Sequence, residues 1–113
     1  MKSSITALAM AALAAVTATP ALAAAPDSSS GWKDFSGTMN DCSSRADAGL
    51  HEARMTLNMQ NAGDDKDKSF YGENDSYAAE VRCIIGKSIV ILMVTGPNGD
   101  EAVKLKNIIA SHF

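Results

Sequence analysis

The chain is poor in the residues that carry out chemistry. It has two histidines, His51 and His112, and neither stands near a nucleophile in a recognisable frame, which speaks against acid–base catalysis. There is no His-Glu-x-x-His, no glycine loop shaped for phosphate and no serine elbow. Asp65-Lys66-Asp67 begins like a calcium loop, but Phe70 stands where the sharp turn of such a loop needs glycine. Glu73, Asp75 and Glu80 read as solvated carboxylates of a turn and a strand. Basic clusters are absent too, and with 10 basic residues against 13 acidic ones the chain suits neither nucleic acid nor an anionic membrane surface. The sequence therefore points away from an enzyme.

The longest apolar run lies at the start. "MKSSITALAMAALAAVTATPALA" has an early lysine, an apolar stretch, Pro20 as a breaker and small residues at Ala21 and Ala23. This is the pattern of a cleavable secretory signal peptide over residues 1–23. As a membrane anchor it is weak, since alanine partitions poorly and Pro20 and the threonines interrupt it. Cleavage leaves 24–113 with no stable anchor, in the periplasm or outside the cell. The remaining chain makes one small domain, in the size range where a covalent staple helps.

Cysteine is scarce, with Cys42 and Cys83 alone, and both follow the leader. Their spacing excludes a redox Cys-x-x-Cys, and an oxidising compartment favours one bridge between them. Glycosylation at Asn74-Asp75-Ser76 is moot if the exporting cell is bacterial.

Residues 24–37 open with "AAPDSSSG", a flexible lead-in, and continue with "WKDF", a short docking segment at 32–35. Residues 38–113 form the domain. Thr38 and Asp41 make a capping box. "DCSSRADAGLHEARMTLNMQ", residues 41–60, then reads as one helix ending at Asn61-Ala62-Gly63. Met39, Cys42, Ala46, Leu50, Ala53 and Leu57 recur every three or four residues and form its core face. "DDKDK" is a solvated loop, and a short strand is expected at 69–71. "SYAAEVRCII" alternates, "SIVILMVT" is apolar throughout, and Gly86-Lys87 between them suits a tight hairpin turn. That register sets Cys83 opposite Val90, Val81 opposite Leu92 and Ala79 opposite Val94, all on one face. Cys42 points into the same layer, so a Cys42–Cys83 bridge is expected. A last helix follows Asn98, with Ala102, Leu105, Ile109 and Phe113 as its stripe. The fold class is α+β: helix, antiparallel two- or three-stranded meander, helix, with both helices on one face of the sheet.

The segments "DCSSRADAGL", "YAAEVRC" and "VTGPNGDEA" in this order resemble small exported bacterial disulfide-containing α+β proteins of uncharacterised function. The resemblance covers about residues 38–113. It implies the bridge and the helix–strands–helix order, and no activity.

Two surfaces remain as candidates. On a continuous helix His51, Met55 and Met59 lie side by side, away from the core. Soft thioethers and an imidazole in an exported chain would suit Cu(I) or Ag(I). The second surface is the sheet face away from the helices, which carries Ile84, Ile89, Ile91 and Met93 beside Glu80 and Arg82. It is too apolar to be simply wet. Its cover is the segment 32–35 folding back, a second copy of the chain, or a different protein. The last two make the protein an interaction or self-association module, and the metal set is the alternative.

Overall fold

The computed structural model describes residues 26–113, with the backbone alone at 58–61. The leader read at 1–23 lies outside the described residues. The fold is α+β. Its elements in order are β1 (Asp27–Asp34), α1 (Met39–Glu52), β2 (Thr56–Gly63), β3 (Asp67–Glu73), β4 (Ala78–Ile84), β5 (Ile89–Gly96) and α2 (Gly99–Ala110). The strands form one antiparallel sheet of five, in the order β1-β5-β4-β3-β2.

The capping box forms as the sequence implies. The Asp41 amide donates to Thr38 Oγ1 at 3.1 Å, and the Thr38 amide donates to Asp41 Oδ2 at 3.3 Å. Helix α1 then buries Met39, Cys42, Ala46, Gly49 and Leu50. At Gly49 the helix meets α2 closely: a Cβ there would lie 3.1 Å from the Ile109 carbonyl oxygen. Ala53 is buried as expected, but beyond Glu52 the sequence reading fails. The helix stops at Glu52, where residues 41–60 were expected to form a single helix. Arg54 takes a left-handed conformation, with φ 61°. Its amide donates to the His51 carbonyl at 3.0 Å, and the Met55 amide donates to the Leu50 carbonyl at 2.9 Å. This is a Schellman stop with arginine where glycine is usual. No glycine or proline marks it, and Leu50, Ala53 and Leu57 continue the helical spacing across it.

The chain therefore returns as edge strand β2, and three expectations change. Met55, expected on the solvent side, is buried at 4% exposure, while Leu57, expected in the core, is 37% exposed. The sheet has five strands, more than the two or three read from the sequence. The lead-in is also different: Asp27–Asp34 is a strand paired with β5, so a strand precedes the first helix. Its serines and single glycine hid that pairing, because a strand pattern needs branched or aromatic residues and Trp32 is the one such residue on this edge.

The turns of the meander rest on two side chains. Asp64 Oδ1 accepts the amides of Lys66 at 2.9 Å and Asp67 at 3.1 Å, and Asn74 Oδ1 accepts those of Ser76 at 3.0 Å and Tyr77 at 2.8 Å. Gly63, with φ 129°, has the Asp67 carbonyl only 2.1 Å from where a Cβ would stand, so any side chain there collides with backbone. Asp67 and Lys68, read as loop, open strand β3.

The β4–β5 register is the one the sequence implies: Cys83 opposite Val90, Val81 opposite Leu92, Ala79 opposite Val94. The connection is one 3₁₀ turn at Ile85–Lys87 followed by Ser88 at φ 55°, longer than a two-residue turn but with the same pairing. The disulfide joins Cys42 on α1 to Cys83 on β4, with 6.4 Å between their Cα atoms, and both cysteines are fully buried. Around it, Ala46 and Leu50 of α1, Val81, Val90, Leu92 and Val94 of the sheet, and Ala102, Leu105 and Ile109 of α2 form one apolar core. Phe35 closes the end of this core against Phe113, ring edge to ring face at 5.9 Å, with the Arg45 guanidinium 5.6 Å from the Phe35 ring centre. The C-terminus is held down there by Arg45 donating to the His112 carbonyl at 3.1 Å and by His112 Nε2 at 2.6 Å from Glu52 Oε1.

Candidate interaction surface

Alternation along β4 and β5 decides which side chains share a face. Ala79, Val81, Cys83, Val90, Leu92 and Val94 are buried, and the positions between them point the other way. Residues directly opposite on antiparallel strands share a face, so the pairings extend this second face across the sheet. One row runs Trp32, Ile91, Arg82, Ser69 over β1, β5, β4 and β3. The next rows run Asp34, Ile89, Ile84, Asp67 and Ser30, Met93, Glu80, Tyr71. Ile84, Ile89, Ile91 and Met93 thus stand together. Met93 is 40% exposed, and Ile84, Ile89 and Ile91 are partly exposed.

The aromatic segment does not cover them. Trp32 lies in the sheet on edge strand β1, beside Ile91, and is 65% exposed. It widens the patch. Phe35 turns to the opposite side and enters the core. Folding back of 32–35 over this face is therefore overturned, because pairing of β1 with β5 fixes Trp32 in the plane of the sheet. Ser30, Gly31, Trp32, Ile89 and Ile91 line a shallow apolar recess between β1 and β5. Sequence reasoning placed the four aliphatic residues and missed Trp32, whose inclusion depends on a strand that the serine-rich segment conceals.

The far side of the face is polar and internally satisfied. Arg82 donates from Nε to Asp67 Oδ1 at 2.9 Å and from Nη2 to Asp67 Oδ2 at 2.7 Å, a two-pronged pair. That hydrogen bonding and charge hold the Asp67 carboxyl below its ordinary value and raise the guanidinium above its own. Ser69 Oγ donates to Glu80 Oε2 at 2.8 Å. Asp64 is likewise lowered, by the two turn amides it accepts. A carboxyl whose folded value is depressed adds stability that is present above its unfolded value and is lost as pH falls through the folded one. The β2–β3 hairpin is accordingly expected to loosen first in acid, below the ordinary carboxylate range. Amide exchange of Ser69 and Phe70, followed as pH is lowered, should show it, and Asp67→Asn should flatten the dependence.

The second candidate set is not assembled. His51 sits on the last turn of α1 with its side chain 83% exposed and 3.9 Å from Asp47. Met55 is in the core, past the end of the helix, in contact range of Gly72 on β3. Met59 falls in β2, and its side chain lies outside the described residues. The spacing of four that aligned the three required a continuous helix, which ends at Glu52. The helical spacing that motivated Cu(I) or Ag(I) ligation by His51, Met55 and Met59 is therefore absent.

Among the described residues no helix is long and apolar enough to cross a membrane. No protein-family model matches the chain, and neither a curated protein nor a solved structure is similar to it.

Proposed function

We propose that the protein is a small exported, non-catalytic interaction module that uses the open face of its sheet. The carrying observation is the contiguous strip of Trp32, Ile91, Ile89 and Met93, with a tryptophan 65% exposed. A large aromatic left in water beside aliphatic residues is the composition of a recognition patch centre, not of an ordinary wet sheet face. Both helices contribute their buried residues to the core cluster that contains Val81 and Leu92. On this reading both cover one face of the sheet, and the other is left for a partner. Export fits the buried disulfide, which persists in oxidising compartments, and the leader pattern at 1–23. The likeness to small exported bacterial disulfide proteins is part of the same proposal.

Ile91→Asp tests it. Ile91 lies at the centre of the strip, between Trp32 and Arg82. A carboxylate on an open sheet face is tolerated, so the variant should melt within a few degrees of the parent, since surface changes usually cost less than about 0.5 kcal/mol. The same carboxylate should abolish association, because a charge desolvated inside an apolar contact costs several kcal/mol. Loss of stability with no effect on association would contradict the reading.

A further inference from the structure

The row through Ile91 carries an aromatic residue on one neighbouring strand and a cation on the other. Trp32 stands one strand to one side of Ile91, and Arg82 one strand to the other. Neighbouring strands are about 4.8 Å apart, so Trp32 and Arg82 stand on strands at equal offsets on either side of Ile91. Asp67 takes the Arg82 guanidinium by its Nε and Nη2 edge. That pairing uses one edge of the guanidinium, and a group so held stacks on an aromatic ring through its planar face. Both groups are accessible: the Arg82 side chain is 47% exposed and Trp32 is 65% exposed.

We infer that the occupant of this face is a second copy of the chain, packed sheet to sheet about a two-fold axis that runs parallel to β5. The inference rests on the interaction reading above. Rotation about such an axis keeps every row on itself and exchanges β1 with β4. Each Trp32 then lies over the partner's Arg82, Ile91 over Ile91, Met93 over Met93 and Ile89 over Ile89. The contact is self-complementary, as an isologous interface must be. Two cation–π stacks close it, one on each side of an aliphatic seam. Charges are kept apart: Glu80 meets the partner's Ser30, and Asp34, at the strand end, meets Ile84. Aligned packing of twisted sheets within about 30° is the ordinary sandwich geometry.

The area sets the strength. Three strands of about eight residues span roughly 14 Å by 26 Å, or about 400 Å² of flat sheet per copy. That is about half of the roughly 800 Å² per partner that standard interfaces bury, the size of a weak, transient contact. The dimer is therefore reversible and concentration-dependent.

Sedimentation velocity of the oxidised protein from about 1 μM to about 1 mM, a range bracketing weak association, reads it directly. The mean mass should rise from one chain towards two, and Trp32 emission should shift to the blue with the same midpoint as the indole leaves water. Arg82→Ala and Trp32→Ala should each raise the dissociation constant about tenfold or more, since each removes both stacks. The double variant should be little worse than either single one. Trp32→Ala should not alter the melting temperature of the monomer, which separates lost contact from lost fold. A protein that stays monomeric throughout, or a dimer indifferent to both changes, overturns the inference. If the chain is monomeric but Ile91→Asp removes a co-purifying protein of another sequence, the second copy is the wrong occupant and the interaction reading stands. If it is monomeric and Ile91→Asp changes nothing, both fall.

Discussion

Reduction of the Cys42–Cys83 bridge should lower the stability of the domain by about 4 kcal/mol. The bridge joins residues 41 apart in sequence, and a loop of that size loses roughly this much chain entropy in the unfolded state when it is closed. Marginal stability makes the figure large: small domains hold only about 5–15 kcal/mol in total. For a domain of this size about 1 kcal/mol moves the melting temperature by roughly 4–8 °C, so the reduced protein should melt some tens of degrees lower. Position adds to the effect. The bridge is the covalent tie between α1 and the central strands, and both sulfur-bearing residues are fully buried among Ala46, Leu50, Val81 and Val90. Calorimetry with and without a reductant measures it. A shift of only a few degrees would mean that helix packing alone holds α1 in place.

Met55→Ala should cost about 2–5 kcal/mol, whereas Leu57→Ala should cost well under half of that. Met55 follows the left-handed Arg54, and its side chain packs where Leu50 meets Gly72. Removing it leaves a cavity between the end of α1 and β3, and neither neighbour can collapse into it easily, because Leu50 is anchored by the helix and Gly72 by the sheet. Leu57 sits on edge strand β2 and is 37% exposed, so truncation returns less apolar surface to water. A continuous helix through residue 60 demands the opposite ranking, since it would bury Leu57 and expose Met55. Urea unfolding of the two variants, read by midpoint, decides between them.

That pair of residues also shows where sequence reasoning reached its limit. The strands β4 and β5 were legible because alternation and a glycine turn specify the same register, and each error of one residue would expose Val81 and Leu92. The start of α1 was legible because Thr38 and Asp41 cap each other, and the bridge because two separate periodicities pointed Cys42 and Cys83 into one layer. The end of α1 was not. Its stop is made by backbone bonds from Arg54 and Met55, and arginine gives no local warning of a left-handed residue. The apolar spacing of Leu50, Ala53 and Leu57 suits a helix equally well, and tertiary pairing of β2 with β3 overrides it. Strand β1 was hidden for a different reason. Asp27–Asp34 has little strand propensity of its own and is ordered by the ladder that β5 offers it. Because of that one strand the candidate surface was read without Trp32, its most exposed large apolar residue.

A photo-crosslinking residue placed at Met93, compared with the same residue at Val103, tests the functional reading most directly. The two positions are alike in exposure, at 40% and 43%, and differ in place, Met93 on the open sheet face and Val103 on α2. Irradiation in the producing cell should give a discrete crosslinked species from position 93 and none from position 103, and Ile91→Asp should remove it. Equal crosslinking from both positions, or none from position 93, would contradict a recognition surface on the open face of the sheet.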